Sequence, residues 1–228
     1  MIIFRQLFDT DTSTYTYLLA DALTHEGIII DPVKELHERD LSAIRELGIE
    51  LRYTVDTHVH ADHVTGSGSL REATGAKVIT GAATDLICSD RLIADGETLT
   101  FGNEVLTAIA TPGHTDGCTS YRWRDRLFTG DTLLINACGR TDFQQGDSGR
   151  LYDSIQRLFA FADETLIFPG HDYAGRRVSS IGQEKTLNPR LADKDRQAFM
   201  DIMNSLDLPY PRHIDRALPA NLTCGLAA

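Results

Sequence analysis

Thr57-His58-Val59-His60-Ala61-Asp62-His63 puts three imidazoles and a carboxylate on one short stretch, directly after the apolar run Leu51 to Val55. Histidines this close repel one another if protonated and waste buried polar groups if left unpaired, so a metal ion is the economical reason to gather them. Further along the chain, three more potential ligands follow the same plan: Thr111-Pro112-Gly113-His114, Thr129-Gly130-Asp131 and Phe168-Pro169-Gly170-His171. Each again leaves the end of a strand-like run, namely Val105 to Ile109, Arg126 to Phe128 and Leu166 to Phe168. Ligands at strand ends converge on one edge of a sheet, where open α/β architectures build their sites. Imidazole with carboxylate and no thiolate suits Zn, Fe, Mn or Ni. The isolated histidines His25, His37 and His213 read as surface or satisfied side chains.

Around these motifs the first half of the chain is rich in strands. Ile2 to Phe8, Thr14 to Ala20 and Glu26 to Ile30 carry strand patterns, with Tyr15, Tyr17 and Leu19 alternating in the second. A helix is expected over Glu35 to Leu47, stopped at Gly48, and another near Ser69 to Ala73 before a strand at Lys77 to Thr80. Gly102-Asn103 and Asp125 mark two hairpin turns, flanked by Leu99 to Phe101, Val105 to Ile109, Thr119 to Trp123 and Arg126 to Thr129. Leu151, Ile155, Leu158 and Phe159 fall at helical spacing, as do Phe199, Ile202, Met203 and Leu206, and the latter read as core packing. Strands mixed with helices define an α/β (α+β) fold class.

A length of 228 residues favours one domain over residues 1–228, and no repeat, low-complexity tract or linker divides it. The formal charge of -11 argues against a nucleic-acid or anionic-membrane surface. No apolar stretch approaches the ~20 residues needed to span a bilayer. Met1 to Phe8 reads as a strand, not as a targeting peptide, and a cytoplasmic setting is the expectation. Cys88, Cys118, Cys138 and Cys224 form no CxxC pair, and in a reducing compartment each is expected to be an isolated buried thiol.

The order HxHxDH, then His, Asp and His after Pro-Gly, Gly and Pro-Gly, resembles the metallo-β-lactamase fold, which implies an αββα sandwich with a metal site at one edge. Within that superfamily four segments resemble the persulfide dioxygenases. They are Thr57 to His63, Cys138-Gly139-Arg140-Thr141-Asp142-Phe143-Gln144-Gln145-Gly146, Gly170-His171-Asp172-Tyr173 and Pro219-Ala220-Asn221-Leu222-Thr223-Cys224-Gly225. The resemblance implies a single ferrous iron held by His58, His114 and Asp131, a two-histidine, one-carboxylate facial triad with open positions. His60 then stands outside the ligand set, while Asp62, His63 and His171 orient ligands and carry proton traffic near the reacting groups. The implied substrates are glutathione persulfide and O2, and the implied products are sulfite and glutathione. Zinc has no accessible redox change for such a reaction. The resemblance further implies a homodimer, a glutathione-facing role for Tyr173, and a separate rhodanese or sulfide-oxidising partner, since no rhodanese-like cysteine loop is present. Arg140 is a candidate for holding a glutathione carboxylate, with an ion pair to Asp142 as the alternative.

Ligand spacing alone leaves a rival open. All seven positions of a two-metal hydrolase are present: His58, His60 and His114 for one metal, Asp62, His63 and His171 for the other, with Asp131 bridging. That reading is a glyoxalase II-like hydroxyacylglutathione hydrolase. A second rival is a metal-retaining scaffold or sulfur-transfer partner without catalysis, against which stands the complete ligand set.

Overall fold

The computed structural model describes residues 1–84 and 86–226. It contains two six-stranded sheets. The first is ordered β1 (Ile2–Phe8), β2 (Tyr15–Asp21), β3 (Glu26–Ile30), β4 (Glu50–Val55), β5 (Lys77–Gly81) and β6 (Arg91–Ile93). The second runs β12 (Ser179–Ser180), β11 (Leu166–Pro169), β10 (Arg126–Gly130), β9 (Thr119–Trp123), β8 (Glu104–Ala110) and β7 (Thr98–Phe101). The helices are α1 (His37–Glu46), α2 (Ser67–Thr74), α3 (Ser148–Phe159), α4 (Ile181–Leu187), α5 (Arg196–Asn204) and α6 (Ile214–Asn221).

Period-two alternation assigns the layers. In β2, Tyr15, Tyr17 and Leu19 face the space between the sheets, while Leu18 and Ala20 face outward against Leu41 and Ile44 of α1 and Leu70 of α2. In the second sheet Ala108, Phe128 and Phe168 point inward, and Ile109, Leu127 and Ile167 pack outward against Leu151, Ile155 and Leu158 of α3 and Phe199 of α5. Trp123 and Phe101 fill the central layer beside Tyr17. The result is the expected helix-sheet-sheet-helix sandwich, with both faces of β2 buried along its whole length.

Strand direction positions the site. β8 is antiparallel to β9, β9 is antiparallel to β10, and β10 is parallel to β11, so the carboxyl ends of β8, β10 and β11 emerge on the same edge. The expected helix over Glu35 to Leu47 is a 3-10 turn, Lys34–Leu36, followed by α1, and Gly48 sits just past its end with φ +63°. The sequence reading passed over β6, β12, α4 and α6. The first two are very short strands, and α6 carries Pro219, which removes a helical donor.

The cysteine expectation holds for Cys118 and Cys138, which are free and buried. It fails for Cys88 and Cys224, which form a disulfide with Cα atoms 5.9 Å apart. Their separation of 136 residues left no local pattern to read; the tail after α6 meets the β5–β6 connection only in the folded chain.

Candidate metal centre

The loops after β4, β8, β10 and β11 bring His58, His114, Asp131 and His171 together. One donor atom each from His58, His114 and Asp131 falls within 4.8 Å of the others. A second group, His60, Asp62 and His63, meets the same distance limit, as does Asp31 with Asp56 and His60. The imidazoles form a tight array, with ring centroids 4.9 Å apart for His58 and His114 and 4.2 Å for His58 and His60. Gly130 is what lets β10 approach the histidine loop: its φ is +49°, and a Cβ there would sit 2.5 Å from Thr57 Oγ1.

Hydrogen bonds behind the rings decide which nitrogens are free. Asp31 accepts from the Thr57 backbone N–H at 2.7 Å and from Thr57 Oγ1 at 2.9 Å. With its own proton committed to Asp31, Thr57 Oγ1 accepts from His58 Nδ1 at 3.0 Å, which leaves the lone pair of His58 on Nε2. His114 Nδ1 donates to the Arg140 carbonyl at 2.7 Å, so its Nε2 also keeps a lone pair, 3.8 Å from Asp131 Oδ2. Two buried imidazoles with outward-held Nε2 lone pairs and one carboxylate are a donor set that fits a divalent transition metal.

His171 is placed differently. Its Nδ1 donates to Asp131 Oδ1 at 2.7 Å, and its Nε2 donates to Asp62 Oδ2 at 2.8 Å with Thr14 Oγ1 at 3.1 Å. Burial disfavours its charge, but Asp131 and Asp62 on either side raise its pKa well above the usual histidine value. The reciprocal effect overcomes burial at Asp131 and at Asp62, and both carboxyls stay well below the ordinary range. His60 Nε2 donates to Asp31 Oδ1 at 3.2 Å, and the nearby carboxylates, Asp31 foremost, more than offset burial and hold this ring at about 9. His58 and His63 are instead pushed down, by burial first and then by neighbouring histidines. His60 Nδ1 and His63 Nε2 are buried without a hydrogen-bond partner.

Three residues that sequence reasoning passed over hold this arrangement. Asp31 follows the apolar Ile28-Ile29-Ile30 run, which is the same strand-end signal that marked the other ligands. Thr14, fully buried, contacts Asp62, His63 and His171 through one hydroxyl. Asn221 accepts from the Thr65 N–H and donates to the carbonyls of His60 and His63, at 2.8 to 2.9 Å. It lies in a motif that carried the family resemblance, but nothing in its spacing announced a role.

A cleft of about 670 Å³ opens over His114, Asp131, Asp62 and His171. That volume suits a small-molecule substrate. Tyr173 stands on its wall, 77% exposed, with its ring stacked on His171 at 6.2 Å. Arg140 lines it too, but its guanidinium pairs with both Asp142 oxygens at 2.7 Å and donates to the Pro209 carbonyl. Arg212, on the same wall, makes no hydrogen bond or ion pair among the described residues.

The metallo-beta-lactamase superfamily model matches residues 9–171, and the chain belongs to that superfamily. Within the superfamily it belongs to the persulfide dioxygenase family. It is 46% identical to the mitochondrial persulfide dioxygenase ETHE1 of Homo sapiens, over 99% of this chain and 89% of that one. It is also similar to the crystal structure of ETHE1 from Myxococcus xanthus, with 51% identity, a TM-score of 0.96, and coverage of 98% of this chain and 99% of that one. A hydroxyacylglutathione hydrolase of Rhodospirillum rubrum is 34% identical over 78% of this chain and 69% of its own length. Among the described residues no helix is long and apolar enough to cross a membrane.

Proposed function

We propose that this chain is a glutathione persulfide dioxygenase, consuming O2 and water and releasing sulfite and glutathione at one ferrous ion held by His58, His114 and Asp131. The observation that carries the reading is a two-histidine, one-carboxylate donor set under the cleft of a chain related to persulfide dioxygenases over nearly its full length. When bound there, a ferrous ion would supply the one-electron redox chemistry that reaction with dioxygen requires, which zinc would not.

The protein's own groups do the rest. The Asp31–Thr57 pair and the Arg140 carbonyl fix the ligand tautomers. His171, bonded to Asp131 and Asp62, orients the carboxylate ligand and sits beside the reacting atoms, where Asp62 and His63 complete the proton-bearing chain. His60 remains outside the ligand set, bonded to Asp31. Tyr173 and Arg140 shape the glutathione side of the cleft, Arg140 through its bonds to Asp142 and Pro209. The proposal includes a single domain acting as a homodimer in the cytoplasm, with a separate rhodanese or sulfide-oxidising protein as sulfur donor. Light scattering, cell fractionation and co-purification test those parts.

The specific observation favouring a second reading is that His60 Nδ1 and His63 Nε2 are buried without partners, His63 standing with Asp62 among the ligands of a second metal and His60 among those of the first. That reading is the dinuclear hydroxyacylglutathione hydrolase. Against it, both ring nitrogens of His171, the remaining ligand it needs, are bonded to carboxylates. An oxygen electrode decides between them: O2 uptake with sulfite formation on adding glutathione persulfide supports the dioxygenase. Hydrolysis of an acylglutathione without O2 uptake supports the alternative.

A further inference from the structure

The Cys88–Cys224 disulfide lies outside the metal centre, yet its covalent path leads into it. Cys224 follows α6 by one short turn, and its N–H donates to the Asn221 carbonyl at 3.1 Å. The Asn221 side chain in turn holds the carbonyls of His60 and His63 and the N–H of Thr65, three points on the loop that follows β4. Lys34 Nζ fixes the next residue of the tail through the Gly225 carbonyl. The other sulfur belongs to the short β5–β6 connection. The two halves are anchored on one helix: the Cys224 carbonyl accepts from Gly68 N at 2.9 Å, and the Cys88 carbonyl from Arg71 Nη1 at 2.9 Å. Access is unequal, since Cys224 is 1% exposed whereas Cys88 is partly open to solvent beside the fully exposed Ile87.

We propose that Cys88 and Cys224 form a thiol-reducible lock that holds the C-terminal segment, and through Asn221 the histidine loop, in place. A small thiol is the reductant. Its thiolate attacks Cys88 Sγ, the accessible sulfur, forming a mixed disulfide and releasing Cys224 as thiolate, which takes up a proton. A second thiol then displaces Cys88, so that two small thiols are oxidised to one small disulfide while the protein pair is reduced by two electrons. The opposite exchange with an oxidised small disulfide closes the lock. In the open state the tail keeps its hydrogen bonds but loses its covalent tie, so Asn221 releases the histidine loop more often.

The test uses the full-length protein, equilibrated with oxidised glutathione or treated with dithiothreitol under anaerobic conditions, beside Cys88→Ser. Peptide mass mapping without reductant is expected to find the Cys88 and Cys224 peptides cross-linked in the oxidised sample alone. Amide hydrogen exchange across residues 60–65 and 221–226 is expected to run at least tenfold faster in the reduced protein and in Cys88→Ser, with no further effect of dithiothreitol on that variant. Metal loss to a chelator should accelerate in the same order. The proposal is overturned if both thiols stay free after equilibration with oxidised glutathione, or if exchange in 60–65 is equal within twofold across the samples. Because exchange is read without turnover, neither result depends on which reaction the centre catalyses.

Discussion

Replacing Asp31 with alanine removes the acceptor for Thr57 N–H, Thr57 Oγ1 and His60 Nε2, at 2.7, 2.9 and 3.2 Å. A hydrogen bond to a charged group contributes about 1.5–3 kcal/mol, and the three donors are left buried. Relief of the buried carboxylate offsets part of this loss. Asp31 also has φ +50°, which costs an alanine about 1 kcal/mol more than aspartate or asparagine. The expected net destabilisation is about 3–5 kcal/mol, or a fall in Tm of roughly 6–20 °C for a domain of this size. An asparagine side chain tolerates the same backbone and retains one acceptor, so Asp31→Asn should lose less than half as much. The larger consequence concerns the metal. Once Thr57 Oγ1 no longer donates to Asp31, it is free to donate to His58 Nδ1, and the His58 proton moves to Nε2, the atom required for ligation. Metal affinity should drop about 10- to 100-fold, the usual effect of losing such a supporting partner. Urea unfolding of the metal-free protein gives the stability, and competition with a chelator gives the affinity. Thr57→Val separates the two effects, since it should weaken metal binding with a smaller loss of stability. An Asp31→Ala protein within 2 °C of the parent, with metal affinity within twofold, would refute the reasoning.

Other expectations are independent of that one. His114→Ala and Asp131→Ala should each abolish iron retention and lower persulfide-dependent O2 uptake by more than 100-fold; unchanged iron content in either would remove it from the ligand set. Arg212→Ala should raise KM for glutathione persulfide several-fold with little change in kcat, because Arg212 lines the cleft and has no hydrogen-bond or ion-pair partner among the described residues. Equal KM values would place the substrate carboxylates elsewhere. Asp40, buried on α1 with Oδ2 unpartnered, is raised by burial from the ordinary 3.8 to about 6 despite Arg39. A raised carboxyl favours the folded state most below pH ~4, and the folded protein loses up to about 3 kcal/mol as pH rises to 6. Asp40→Asn should therefore gain Tm relative to the parent progressively between pH 4 and 6, with no further gain above. A difference independent of pH would contradict this.

The parts of this molecule legible in the sequence are those written in local patterns. Tyr15, Tyr17 and Leu19 set the inner face of β2, and the strand-end pattern picks out His58, His114, Asp131 and His171, which the folded chain brings together. The division of labour among the histidines was not legible. His58 and His171 look alike in sequence; Thr57 and Asp31 leave one with a free Nε2, while Asp131 and Asp62 occupy both nitrogens of the other. Those partners come from distant strands. The same holds for Arg140, where spacing left a substrate contact and an ion pair equally open and the folded loop gives its guanidinium to Asp142 and Pro209. The Cys88–Cys224 disulfide is likewise invisible in the sequence, because residues 136 apart carry no local pairing signal.

The central claim is one redox-active metal per chain in a site whose outer histidines are held by carboxylates. Metal content of anaerobically purified protein, measured together with O2 consumption on adding glutathione persulfide, tests it most directly. The account predicts about one iron per chain and O2 uptake that depends on the persulfide. About two metals per chain, no O2 uptake and cleavage of an acylglutathione would contradict it, and would mean that Asp62, His63 and His171 had assembled a second metal site with His60 joining the first.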